Sequence, residues 1–181
     1  MQFHKETENL ILREFRLTDA EDFFKMDSLP EVHMYLGNTP VQSIDHVIHT
    51  IEYIQLQYAS FNIGRWAAIE KSSGNFIGWS GLKYVTELTN NRTGFYDVGY
   101  RLHPNYWGKG YATESAMAAL RYGFKNLPLD EVIGTCNIHN KASRRVLEKC
   151  GLKFVENFMW KTIPCDWLSI SKSYWLNKKQ E

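Results

Sequence analysis

Two glycines one residue apart, Gly108 and Gly110, stand just before a run that reads as helix in "NYWGKGYATESAMAAL", Asn105 to Leu120. The first turn of a helix leaves its N–H groups without partners and carries the positive end of the helix dipole, which suits a phosphate or another anion. Glycine lets those amides reach the ligand with no Cβ in the way. Lys109 between the glycines adds a cation and Thr113 a hydroxyl. A bare strand-to-helix connection that holds no ligand uses the same residues. Two phosphate motifs are excluded. The dinucleotide fingerprint needs a small residue where Thr113 stands and an acid ending the next strand, whereas Asp130 precedes that strand; the pattern G-x-x-x-x-G-K-[ST] is absent.

A second group lies in "NKASRRVLEKCG". Asn140, Ser143 and Leu147 follow at i, i+3 and i+7, so they project from one helix face and the first two can meet the same ligand. Asn140 also suits a helix N-cap, and the two roles are compatible. Arg144 and Arg145 reach either toward an anion or into solvent. In "FYDVGYRLH" strand alternation sets Asp97 on the side of Arg101 and His103, opposite Tyr96, Val98, Tyr100 and Leu102. A carboxylate there faces either solvent or a site. His46 and His49, three apart, have no third ligand beside them in a metal-site pattern, so no metal is expected. Cys136, Cys150 and Cys165 are too widely spaced for a zinc knuckle or redox dithiol and read as buried reduced thiols.

The elements that must carry these groups follow from periodicity. "ENLILREFRL" (8–17) reads as a first strand, and Thr18 with Glu21 has the form of a capping box that opens a helix interrupted near Pro30. A short helix spans Glu31 to Leu36. From Ser43 to Tyr58, Ile44, Val47, Ile48, Ile51 and Ile54 recur at helical spacing. "GRWAAIEK" and "FIGWSGLKYV" form a hairpin about "SSGN", then comes the polar loop "TELTNNRTG" and a strand from Phe95 to His103. The helix after the glycine turn carries the small-residue stripe Ala112, Ala116, Ala119 and Gly123. "LDEVIGTCN" is a strand, "NKASRRVLEKCG" a helix closed by Gly151, and "LKFVENFMWKT" and "DWLSISKSYWL" a closing strand pair. The order predicts an α+β domain on one mixed, mostly antiparallel sheet of six to seven strands flanked by helices.

The chain has 181 residues, 44% of them hydrophobic and 14% aromatic, enough for one domain over 1–181 with a sizeable core. Lysine and arginine number 21 against 20 acids, a balance that gives no sign of nucleic-acid or anionic-membrane binding, so any anionic ligand must be held by local groups. No secretory leader or membrane-spanning run is seen, and a cytoplasmic location is expected.

Taken together, strand, "YWGKGYATE", helix, followed by strand and N-x-x-N-x-x-S-x-x-V-L-E-K-x-G, resemble the GNAT superfamily of acyl-CoA-dependent N-acetyltransferases, and within it the RimJ/RimL type. The likeness covers nearly the whole chain, beginning with "LILREFRLTDAEDF". The resemblance implies that amides of Gly108, Lys109, Gly110, Tyr111, Ala112 and Thr113 hold the pyrophosphate of coenzyme A, and that the pantetheine arm pairs with the strand edge at Tyr100, Arg101 and Leu102. It assigns Asn140 to a pantetheine amide and Ser143 to the sulfur, as hydrogen-bond donor or general acid. It makes Asp97 the base, with Glu156 as the second candidate. Asn105 departs from the family's Arg or Gln, and Leu147 stands where many members carry an acidic tyrosine, so Ser143 or water must serve there. A thiol of parent pKa about 8.5 is a good enough leaving group for such modest help.

The expected reaction is direct acetyl transfer from acetyl-CoA to a primary amine, with no metal and no covalent enzyme intermediate. The acceptor is a protein N-terminus, ribosomal proteins included, or a small amine such as a polyamine, amino acid or aminoglycoside. A non-catalytic acyl-CoA-binding module and a bare nucleotide-binding protein are the competing classes. Neither nucleic acid nor membrane is an expected partner, and the chain is read as a monomer or homodimer. The segment Leu29 to Gln42, the helix after it and the loop near "TIPCDW" are expected to form the acceptor cleft, lined by Tyr35, Trp79, Trp160 and Trp167.

Overall fold

In the computed structural model, which describes residues 4–177, the small-residue helix is α4, Tyr111–Asn126. It lies close against the sheet because Ala116, Ala119 and Gly123 put almost nothing between helix and strand. A Cβ at Gly123 would stand 2.5 Å from Leu82 Cδ1, so even a methyl there would force the buried Leu82 side chain to move. Leu120 and Phe124 fill the adjoining core with Val98, Leu102 and Val132.

The sheet has eight strands: β1 His4–Glu6, β2 Leu10–Arg13, β3 Arg65–Glu70, β4 Phe76–Val85, β5 Phe95–Leu102, β6 Glu131–Asn137, β7 Lys153–Trp160 and β8 Ile163–Ser171. Their spatial order is β1-β2-β3-β4-β5-β6-β8-β7. Every neighbouring pair is antiparallel except β5 with β6. This is the mixed, mostly antiparallel α+β architecture that the element order predicts. On one face lie α4 and α5, Lys141–Lys149; on the other lie α1, Ala20–Asp27, α2, Pro30–His33, and α3, Ile44–Phe61. Ser43 caps α3 by accepting the His46 N–H at 3.4 Å, and Val47, Ile51 and Ile54 bury its inner stripe against Phe15, Phe23 and Met26.

Three local expectations are corrected. The first strand, expected over 8–17, is limited to β2, and a further strand β1 precedes it in a hairpin because the chain turns where the Thr7 N–H donates to the Leu10 carbonyl at 2.9 Å. The first helix is not opened by a Thr18–Glu21 box. Asp19 takes that place, its carboxylate accepting the Arg16 N–H at 2.8 Å and two bonds from the Arg13 guanidinium at 2.6 and 2.8 Å. At the other end, "KSYWLN" leaves the sheet as α6, Lys172–Asn177, where it buries Trp175 against Phe124, their ring centroids 5.4 Å apart.

Candidate active site

The site forms where β5 and β6 part. The two strands are paired only at Tyr96 with Val132 and at Asp97 with Ile133, after which they diverge. On its other side β5 stays paired with β4 as far as Leu102 with Gly78. The His103 N–H donates to the Ile77 carbonyl at 2.9 Å, so by the alternation of an antiparallel ladder the backbone groups of Tyr100 and Leu102 point the opposite way, into the gap. The predicted strand edge is therefore open at Tyr100. At Leu102 it is partly taken, because the Trp107 indole donates to its carbonyl at 2.7 Å, a contact that spacing alone did not suggest.

Beyond that edge comes the glycine turn. Gly108 (φ +75°) and Gly110 (φ +87°) sit in the left-handed region, and no atom lies within 4 Å of where either Cβ would stand. The glycines thus answer to backbone conformation, and the side a ligand would approach is uncovered. No side chain caps α4 at Gly110. Lys109 stacks its ammonium over the Tyr106 ring at 4.9 Å, and the Tyr111 hydroxyl is tied to Glu70 at 2.8 Å. Glu114 of the same turn accepts from Thr7 Oγ1, the Asn9 N–H and Asn9 Nδ2 at 2.5, 2.7 and 2.9 Å, anchoring the first hairpin to α4.

Across the gap stands α5. Asn140 does cap it, its Oδ1 accepting the Ser143 N–H at 3.0 Å. Leu147 is wholly buried over Gly134 of β6, where an added Cβ would stand 2.6 Å from its Cδ2. With α5 seated on β6 in this way, Ser143 faces β5, and the Tyr100 hydroxyl donates to the Ser143 carbonyl at 2.7 Å with Ser143 Oγ 3.1 Å away. Arg144 does not extend toward a ligand; it pairs with Glu148 at 2.9 Å and with buried Asp166 at 2.8 Å.

The opposite face of the gap is held by ion pairs. Asp97 does not look into solvent: its side chain is 17% exposed and bonded to the Arg65 guanidinium. Arg65 crosses the sheet over Gly81 and Gly99, donating also to the carbonyls of Gly81 and Asp97, and a Cβ at Gly99 would collide with it at 2.6 Å. Burial raises the Asp97 carboxyl above the usual range, outweighing the pull of Arg65. Arg101, next on that face, grips both oxygens of Asp27 at 2.7 and 2.8 Å. Between the two guanidinia lies the Trp79 ring, 5.4 Å from Arg65 and 5.2 Å from Arg101. The Trp79 indole nitrogen and His33 Nε2 are buried without hydrogen-bond partners among the described residues. Burial and Arg101 lower the His33 pKa.

Glu156 is not brought to Asp97. It lies on β7, three strand spacings or roughly 14 Å from β5, and accepts from Asn90 Nδ2 at 2.8 Å. Trp167 is a core residue, 2% exposed between Phe95 and Phe158, whereas Trp160 is 42% exposed at the β7–β8 turn. Arg65, Asp27 and His33 are the members that sequence reasoning missed. Gly99 inside a strand was the available signal, since a strand glycine often marks the close passage of another group. Among the described residues no cluster of three or more His, Cys, Asp or Glu is arranged for a metal, and no helix is long and apolar enough to cross a membrane.

Comparison with known proteins adds to this geometry. Residues 9–153 match the family model described as an acetyltransferase (GNAT) domain. The FsC-acetyl coenzyme A-N(2)-transacetylase of Aspergillus fumigatus is 42% identical over 138 residues, covering 74% of this chain and 58% of that protein. Spermidine N-acetyltransferase from Vibrio cholerae, solved with CoA and spermine, superposes with a TM-score of 0.74 at 19% identity over 94% of this chain and 100% of that one. Ribosomal-protein-S5-alanine acetyltransferase from Vibrio fischeri does so with a TM-score of 0.76 at 16% identity, over 96% and 98%. At these identities the two structures speak for the fold alone.

Proposed function

The chain belongs to the acetyltransferase (GNAT) family and is by class an acetyl-CoA-dependent N-acetyltransferase; from that premise we propose that it acts in the RimJ/RimL manner, acetylating the α-amine of a protein N-terminus. In this reading residues 1–181 serve as one cytoplasmic domain, monomeric or dimeric. The observation that carries it is the parting of β5 from β6, which leaves the Tyr100 edge open between an uncovered glycine turn and the first turn of α5. A pantetheine arm carries amides and can bond such an edge as a strand does. The amides of Gly108 to Thr113 would hold the pyrophosphate, and Asn140, whose cap bond uses only Oδ1, would bond a pantetheine carbonyl through Nδ2.

In the reaction the amine nitrogen attacks the thioester carbon, the C–S bond breaks, and the proton lost by nitrogen balances the one gained by sulfur. Asp97, directly or through a water, is the base that keeps the amine neutral. Its position at the last pairing of β5 with β6, opposite Ile133, and a carboxyl raised by burial support this role. Ser143 is the hydrogen-bond donor to the thiolate. Glu156 serves at most from the rim, given its distance.

The acceptor reading rests on charge. Asp97 and Asp27, which lie on the transfer face, are each offset by an arginine, so these carboxylates do not supply the unpaired negative charge that would gather a polycation. A peptide α-amine, with a pKa of about 7.7 to 8.0 against about 10.4 for a lysine amine, needs only light assistance. Thiol release from acetyl-CoA should therefore be faster with a peptide bearing a free N-terminal alanine than with spermidine at equal concentration. Faster release with spermidine would sink the peptide reading, and an absence of CoA binding by calorimetry would sink the donor site.

A further inference from the structure

A phenol reaches the first turn of α5 from another element. The Tyr100 hydroxyl, on β5, spans the gap to Ser143 of α5, 2.7 Å from its carbonyl and 3.1 Å from Oγ. We infer that Tyr100 is the positioning residue for Ser143: it holds that hydroxyl, and with it the first turn of α5, at a fixed place beside the thioester sulfur. This rests on the Ser143 assignment made above.

The proton count decides what Tyr100 does. Its single hydroxyl proton is committed to the Ser143 carbonyl, the shorter of the two contacts, so in the contact with Oγ it is Ser143 that donates. The serine proton therefore rests on Tyr100 until negative charge builds on sulfur. Rotation about the Cβ–Oγ bond then swings it to the thiolate, exchanging a neutral hydrogen bond for a stronger charge-assisted one, while the Tyr100 bond to the Ser143 carbonyl at 2.7 Å persists and keeps the residue in place. Tyr100 does not supply the proton. Burial drives its pKa far above the ordinary phenol value, while the departing thiol has a parent pKa of about 8.5, so proton loss by the phenol would run steeply uphill. The proton that ends on sulfur is the one released by the amine, and Tyr100 and Ser143 both finish as they began.

No other side-chain group is bonded to Ser143 Oγ among the described residues, so this anchor has no substitute. It also joins the two lips of the gap, since Tyr100 belongs to the β4–β5 side and Ser143 to the helix packed on β6. A double-mutant cycle tests it, reading thiol release from acetyl-CoA with the N-terminal-alanine peptide and CoA affinity by calorimetry. Tyr100→Phe keeps the ring and should lower kcat about three- to tenfold, the loss of the neutral hydrogen bond to the Ser143 carbonyl, a deficit larger than any change in CoA affinity. In a Ser143→Ala background the same substitution should have no further effect. An undiminished Tyr100→Phe deficit in that background overturns the inference while leaving the Ser143 assignment intact. A fully active Ser143→Ala enzyme overturns both.

Discussion

The two sides of the gap between β5 and β6 are built by different means. On the donor side, Gly108 to Thr113 and Asn140 to Ser143 are contiguous stretches that offer mainly backbone: amides at the start of α4 and a capped first turn of α5. On the transfer side the groups are charged and aromatic side chains from five separate elements. Arg65 comes from β3, Trp79 from β4, Asp97 and Arg101 from β5, Asp27 from α1 and His33 from α2. Backbone amides recognise a phosphate whatever the side chains are, so the proposed pyrophosphate site should work with Asn105 where the resemblance implies an Arg or Gln. Buried ion pairs have no such tolerance, because removing one partner leaves the other charge desolvated and uncompensated.

The largest expected effect strikes the transfer side. Asp97→Asn keeps the size of the side chain and the Arg65 contacts to the Gly81 and Asp97 carbonyls, yet removes the proposed base, and should reduce kcat/KM at least about a hundredfold with CoA affinity intact. Activity of the Asp97→Asn enzyme within about threefold of the parent would refute the role. The parent's acid limb offers a finer check. Because burial raises the Asp97 carboxyl, the basic form is lost as pH falls through a value above the usual aspartate range of about 3.9, and log kcat/KM should decline from there. The sign is opposite for stability: the unfolded carboxyl ionises at lower pH, so this residue's contribution weakens as pH rises from the unfolded to the folded pKa, and urea unfolding of the Asp97→Asn variant should lack that component.

A smaller effect belongs to the donor side. Gly110→Ala meets no neighbour, so its cost comes from the positive φ alone, about 1 kcal/mol of stability, together with about a tenfold loss of CoA affinity as the turn relaxes. Calorimetric titration with CoA checks it; an unchanged affinity would mean that the turn's amides do not carry the pyrophosphate. The smallest effect is expected at Asn105, which is exposed and bonded through its backbone N–H to His103 Nδ1 at 3.2 Å. Asn105→Arg restores the family's residue and should tighten CoA by no more than about threefold, the value of one exposed ion pair. A gain of about a hundredfold would show that side chains matter on this side too.

How much was legible follows the same division. The glycine turn, the Asn140–Ser143 face and the sheet's mixed character are properties of local spacing, and they could be read before any tertiary structure was known. The hairpin made by β1 and β2, the cap at Asp19 and the helical ending at Lys172 were not, because each depends on a partner elsewhere along the chain or across the core: Glu114 for the hairpin's turn, Arg13 for Asp19, Phe124 for Trp175. Trp160 and Trp167 were indistinguishable by type. Only packing separated a core residue from a rim residue.

By itself the sequence determined two local motifs, a glycine turn and a capped helix start, whose geometry follows from helix and strand periodicity; their resemblance to the GNAT family is what points to acetyl-CoA as donor. The tertiary structure decided the rest. It turned Asp97 from a strand carboxylate of either outlook into half of a buried pair with Arg65, moved Glu156 three strand spacings away, and brought the Tyr100 phenol to Ser143 across the gap. The physical reason is range: a backbone site is written in consecutive dihedral angles, whereas a side-chain site exists only where strands and helices remote in sequence are pressed together and desolvated as one.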